Sequence, residues 1–140
     1  MGWSKHEKGA DSIDDVKKVL VYYLERLSRE EEGKKISWVF DCKNAGLKNI
    51  DLELIFFIIF CMEHCYPDIL NYIYIFEMPW IMGAAFKVIK AALPAAGVAK
   101  LKDVSKSTFG QWVNDDNRID AWGGNDDWQF QFEPEVKKQK

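Results

Sequence analysis

Residues 71–93 read NYIYIFEMPWIMGAAFKVIKAAL, and this stretch decides the fold. Tyr72 to Glu77 is a run of aromatic and β-branched side chains, the composition of a buried strand. Met78-Pro79 ends it, because proline has no N–H to give to a ladder. Residues 80–93 then carry apolar side chains at Ile81, Ala85, Val88, Ile89 and Ala92, a spacing that predicts a helix stopping before Pro94. Lys87 and Lys90 fall three residues apart and share one face of it.

Working outward, ISWVFD (36–41) is a second strand of the same kind, closed by the turn Lys43-Asn44-Ala45-Gly46. Between the two strands a helix begins at Asn49 as cap, with Asp51 and Glu53 suiting its positive end. Pro67 stops it at about Tyr66. Its segment 54–62, LIFFIIFCM, is apolar nearly all round and is expected to be buried on more than one side. That run is about half of the ~20 residues a membrane span needs, so no transmembrane helix is expected. Upstream, Ser12 and Asp15 have the spacing of a capping box, and Ile13, Val16, Leu20, Leu24 and Leu27 predict an amphipathic helix over 13–28. Downstream come a short strand at Leu101–Val104, a small helix from Ser107 through Val113 and a turn at Gly123-Gly124. WQFQF (128–132) then puts Trp128, Phe130 and Phe132 on one side. Alternation of helix and strand makes the chain α/β: a mostly parallel sheet covered by helices, with right-handed crossovers. One domain is expected over residues 13–132, between an N-terminal stub (1–12) and a charged tail (133–140).

The net charge of −3 and pI of about 5.4 argue against a nucleic-acid partner, which usually requires a basic surface. Charge is uneven, however. Residues 81–110 hold Lys87, Lys90, Lys100, Lys102 and Lys106 against Asp103 alone, which suits either an anionic surface or a solvated lysine face. Three cysteines without a dense pattern or a signal peptide point to a reducing, cytoplasmic setting.

Catalytic patterns are missing. There is no glycine-rich phosphate loop and no nucleophile elbow. The two histidines are His6 and His64; a Ser-His-Asp arrangement would have to rely on His64, which reads as a helix-end residue. Cys61, Cys65 and His64 are close in sequence, but His64 lies about 100° around the helix from Cys65, so core cysteines are expected rather than a metal site. The pairs Asp14-Asp15, Asp115-Asp116 and Asp126-Asp127 read as caps and loops. A non-enzymatic protein without cofactor or metal is expected. The excess of large apolar residues between positions 54 and 93 would suit a solid core or the wall of an apolar cavity.

Taken together, NYIYIFEMPWIMGAAFKVIKAAL, WVFDCKNAGL, CYPDIL and LKDVSK, in that family's order, resemble the CRAL-TRIO lipid-binding family across residues 13–128. The resemblance implies a deep apolar pocket floored by the sheet, with residues 80–93 as a gate helix that opens at a membrane. Candidate lipid contacts are Phe57, Phe60, Tyr74, Phe76, Trp80, Met82, Phe86 and Ile89. Asp68 and Lys100 match the acidic residue and the lysine that clasp a headgroup, and Lys87 and Lys90 would face the membrane. Gly97 stands where the family has a threonine, and Ile119-Asp120-Ala121-Trp122 replaces its leucine-proline. The family's N-terminal helices and first strands have no counterpart, so the resemblance covers its C-terminal two-thirds, with a sheet incomplete at the N-terminal side. The implied partners are a phospholipid, phosphatidylinositol included, or an isoprenoid-like lipid, with transient contact to cytosolic faces of endomembranes. An incomplete sheet edge also invites a homodimer. Two other readings differ in class: a membrane- or protein-interaction module without a cavity, and a small α/β enzyme resting on fold class alone.

Overall fold

In the computed structural model, which describes residues 7–135, three strands form one parallel sheet in the order β1 (Ile36–Asp41), β2 (Leu70–Phe76) and β3 (Leu101–Val104). Parallel neighbours that follow each other in sequence need crossover connections. The first is α2 (Leu52–Phe60) and the second is α3 (Gly83–Ala92) followed by α4 (Ala95–Ala99). This is the α/β arrangement expected from the alternation of helix and strand. Residues 3–5, His6 and the last five residues of the tail lie outside the described residues.

Register explains which side chains share a face. Trp38 pairs with Ile73, Phe40 with Ile75, and Ile73 with Leu101, so these project from one side of the sheet. An irregularity between the Ile36–Leu70 and Trp38–Ile73 pairs adds a residue to β2. Such a bulge resets the alternation and lets Leu70 join Ile73 and Ile75 on that side. Tyr72, Tyr74, Phe76 and Val104 project from the other side, where Tyr74, Phe76 and Val104 are buried.

Helix α1 (Ile13–Glu30) runs two residues further than the expected 28. Its stripe of Ile13, Val16, Leu20 and Leu24 packs on the core, and Leu24 is fully buried. Ser12 precedes it but its side chain makes no cap bond, so the expected capping box does not form. Asp14 and Asp15 still place negative charge at the positive helix end. Two sets of contacts tie α1 to α2 and to the turn beyond it. Lys17 Nζ lies 3.1 Å from Glu53 Oε1 and 5.1 Å from the centre of the Phe57 ring, and the Tyr66 hydroxyl donates to Glu25. With Glu53 more than half exposed, the ion pair contributes at most about 1 kcal/mol.

The start of α2 differs from expectation. Asp51, not Asn49, is its cap, accepting from Leu54 N at 3.1 Å. Asn49 closes the preceding turn (Leu47–Asn49), where its side chain accepts from Gly46 N at 2.8 Å. After Phe60 the helix widens into a π turn, Cys61–Cys65. The expected helix over 80–93 opens with a 3-10 turn (Trp80–Met82) and ends at Leu93, held extended (ψ 143°) by Pro94. Helix α4 comes after Pro94, where only a connection was expected.

The described chain divides into two compact units, one up to Ser105 and one from Lys106. In the second, only a 3-10 turn (Phe109–Gln111) forms where a small helix was expected. Arg118 organises this unit. It is buried, and its guanidinium donates to the carbonyls of Val113, Trp122 and Gly123 and to Asp115 Oδ1 at 2.7 Å. Gly123 adopts φ 85°, and a side chain on Gly124 would place Cβ 1.8 Å from the Arg118 carbonyl oxygen, so the double-glycine turn is sterically required. The WQFQF segment has no strand structure, and Trp128, Phe130 and Phe132 are all exposed.

Candidate functional site

On one side of the sheet the side chains do not meet. A cavity of about 660 Å³, partly open to solvent, lies between sheet, α2 and α3. This is within the ~300–1,000 Å³ typical of small-molecule sites. Phe40, Leu70, Ile73, Ile75 and Leu101 make its floor. Ile55, Ile58, Ile59 and Met62 make one wall, at the i, i+3, i+4, i+7 spacing of a single helical face. Met82, Ala85, Phe86, Ile89 and Leu93 make the other. Not one residue of α3 or α4 is fully buried, and Met82 and Phe86 of this wall are partly buried against the core.

The cavity has two polar ends. At the C-terminal end of β1 are Asn49 and Cys42. Burial, and secondarily the Asp41 carboxylate, push the Cys42 thiol up to about 12, which makes it a poor nucleophile. Burial also raises Cys61, next to Cys65. At the other end are Glu63, His64 and Lys100. Lys100 Nζ donates to the Leu70 carbonyl at 3.1 Å. His64 stacks on Phe60 (centroids 4.7 Å apart), with Nδ1 3.2 Å from the Phe60 carbonyl oxygen. Among the described residues no three His, Cys, Asp or Glu side chains are placed to hold a metal ion. No described helix is long and apolar enough to cross a membrane.

Of the eight candidate lipid contacts, the structure brings Met82, Phe86 and Ile89 to the cavity. Tyr74 and Phe76 are buried on the opposite face of the sheet, a consequence of strand alternation with Ile73 and Ile75 facing the hollow. Phe57 lies under Lys17 and faces α1. Phe60 is half exposed against His64, and Trp80 is 90% exposed. Lys100 lines the cavity, whereas Asp68 lines a separate polar groove with Arg29, Lys34 and Lys35. Lys87 and Lys90 are exposed on α3, Lys90 with its ammonium 4.7 Å from the Phe86 ring centre. The aliphatic lining, from Ile55 to Met62 and at Ile73 and Ile75, was not among the candidates. Its signal was present in the helical spacing of the first set and the strand alternation of the second.

The chain is 27% identical over 130 residues to a CRAL-TRIO domain-containing protein of Schizosaccharomyces pombe, covering 91% of this chain and 29% of that protein. It is 29% identical over 83 residues to the phosphatidylinositol transfer protein CSR1 of Eremothecium gossypii, covering 59% of this chain and 19% of that one. The chain thus spans less than a third of the length of these curated relatives. The model of the CRAL/TRIO domain matches residues 2–124. With that match over most of its length, and a parallel α/β sheet beneath crossover helices, the chain belongs to the CRAL/TRIO domain family.

Proposed function

We propose that this chain binds a lipid with its apolar tail in the cavity beneath α3, and carries or senses that lipid at cytosolic membrane surfaces without covalent chemistry. The observation that carries the reading is the hollow itself. Burying an acyl tail there removes about 0.8 kcal/mol of exposure cost per CH₂, and the aliphatic floor and walls offer no competing polar partners along most of their length. Family membership supports it, as does the likeness to the Eremothecium phosphatidylinositol transfer protein. Phosphatidylinositol, other phospholipids and isoprenoid-like lipids are the candidate ligands. Residues 78–90, MPWIMGAAFKVIK, also resemble the matching segment of the motile sperm domain-containing proteins, and we place the chain near them within the family.

Residues 80–93 act in this proposal as the gate. Trp80, Ile81 and Val88 are exposed apolar side chains on a segment with no fully buried residue, and Lys87 and Lys90 flank them. Each lysine near an anionic bilayer adds about 1 kcal/mol of attraction. The test is to incubate the purified chain with mixed-lipid vesicles, re-isolate it and weigh it by native mass spectrometry. Stoichiometric bound lipid is expected. An apo mass after exposure to phospholipid, diacylglycerol and isoprenoid vesicles alike would refute the reading. Salt-sensitive vesicle flotation without uptake would instead favour an interaction module, for which the exposed Trp80 and its neighbouring lysines already speak.

A further inference from the structure

We propose that Cys61 and Cys65 form a reversible redox pair: a hydroperoxide oxidises Cys65, and Cys61 then closes a disulfide across the π turn, locking the turn that borders the cavity. The pair is independent of what the cavity holds.

The turn sets the geometry. In a regular helix two residues four apart are offset by about 40° around the axis. Here the Tyr66 N–H donates to the Cys61 carbonyl at 2.9 Å, a bond that spans five residues instead of four. Each residue of such a wider turn rotates the chain less, so Cys65 returns more nearly above Cys61. The two thiols are in hydrogen-bond contact. A disulfide needs Cα atoms within ~4.4–6.8 Å of each other, and one helical turn of ~5.4 Å falls inside that window.

The surroundings assign the order of events. Cys65 is exposed and Cys61 is buried. Burial raises the Cys61 thiol, so it stays protonated and is the slower of the two to meet an oxidant in water. The Cys65 sulfur attacks the peroxide. Its S–O bond forms as the O–O bond breaks, giving a sulfenic acid and water (or an alcohol, from an organic hydroperoxide). The Cys61 sulfur then attacks the Cys65 sulfur. The S–S bond forms, the S–OH bond breaks, and the Cys61 proton leaves with the hydroxyl as water. Two thiols are oxidised and one peroxide is reduced. An external thiol reverses the change by exchange.

Neighbouring groups leave the two sulfurs to each other. His64 stacks on Phe60 with Nδ1 at its carbonyl, and among the described residues no third side chain joins the cysteines to hold a metal. Cys42 is at the far end of the sheet. Its N–H donates to the Phe76 carbonyl where β2 ends, whereas the π turn leads into Leu70, where β2 begins. Met62, Glu63 and His64 line the cavity from this turn, so a crosslink there reaches the cavity wall.

The experiment exposes the reduced full chain to hydrogen peroxide, removes the peroxide, labels free thiols with N-ethylmaleimide in denaturant and weighs the intact protein. The oxidised chain is expected to lose about 2 Da, the two thiol hydrogens, and to take one label, on Cys42, in place of three. Dithiothreitol before labelling should restore all three. Cys65→Ser should keep both of its remaining thiols through the same exposure. Cys61→Ser should leave Cys65 as a sulfenic acid that dimedone captures. Cys65 is exposed, so its variant should fold, and it carries the test if Cys61→Ser does not. In the oxidised chain amide exchange over residues 62–66 should slow, because the crosslink holds the turn closed. A chain whose first product is the sulfinic acid or a disulfide-linked dimer would overturn the proposal. So would loss of the Cys42 label, oxidation of Cys65→Ser at the unmodified chain's rate, or amide exchange that the crosslink leaves unchanged.

Discussion

The two faces of the three-stranded sheet use similar amounts of apolar side chain to opposite ends. Tyr74, Phe76 and Val104 on one face are each at most 5% exposed. Ile73, Ile75 and Leu101 on the other face line a hollow of about 660 Å³. In β2 the aromatic Tyr74 and Phe76 fill, and the aliphatic Ile73 and Ile75 line. Size alone is thus a poor guide to which side chains line the cavity, because the largest side chains are those best able to close a core by themselves.

The sharpest way to break this comparison is to make the same deletion on both faces. Phe76→Ala should cost about 3–5 kcal/mol, the range for a fully packed aromatic, in chemical denaturation. Phe86→Ala, on the hollow face and only partly buried, should cost about 1 kcal/mol, because its neighbours already border empty space. Equal costs would mean that the two faces are packed alike.

Alkaline pH gives a smaller effect. The thiol of Cys42 is held neutral by burial, with its pKa raised from 9.0 to about 12, and burial raises the Tyr74 phenol in the same direction. Above pH 9 the unfolded chain releases protons that the folded chain retains, so stability is full below that point and falls as pH rises towards 12. Cys42→Ala should flatten part of that decline in unfolding curves taken between about pH 8 and 11. Iodoacetamide at about pH 8 should modify the exposed Cys65 and spare Cys42 and Cys61, which peptide mass mapping would show. The smallest change in stability is expected for Trp80→Ala. With the side chain 90% exposed, the unfolding free energy should change by less than about 0.5 kcal/mol, while flotation with anionic vesicles should weaken.

Much of this architecture was legible in the sequence. The strand at 36–41 falls where its β-branched and aromatic run puts it, the short strand at 101–104 falls where it was expected, and the first helix begins where its apolar stripe begins. What stayed hidden depended on competing local bonds. Asn49 and Asp51 are both good caps, and the choice went to Asp51 because Gly46 N had taken the Asn49 side chain. The π turn leaves no sequence mark, since CMEHC continues a helical pattern without a break. WQFQF alternates like a strand, but it takes no strand structure and its aromatics are exposed. For the cavity, period-two alternation in YIYIF separates Tyr74 and Phe76 from Ile73 and Ile75, yet which set faces the helices depends on where the crossovers run. Phe56 and Phe60, the most conspicuous residues of α2, point away from the hollow that Ile55, Ile58, Ile59 and Met62 line.

One substitution tests the central claim most directly. Ala85 lies on the hollow-facing side of α3, and Ala85→Phe adds a ring to that space. Where a well-packed interior loses about 1–3 kcal/mol to such overpacking, this chain should keep its denaturation midpoint and lose its bound lipid in native mass spectrometry. A variant that unfolds by several kcal/mol, or one that takes up lipid as the unmodified chain does, would contradict the account.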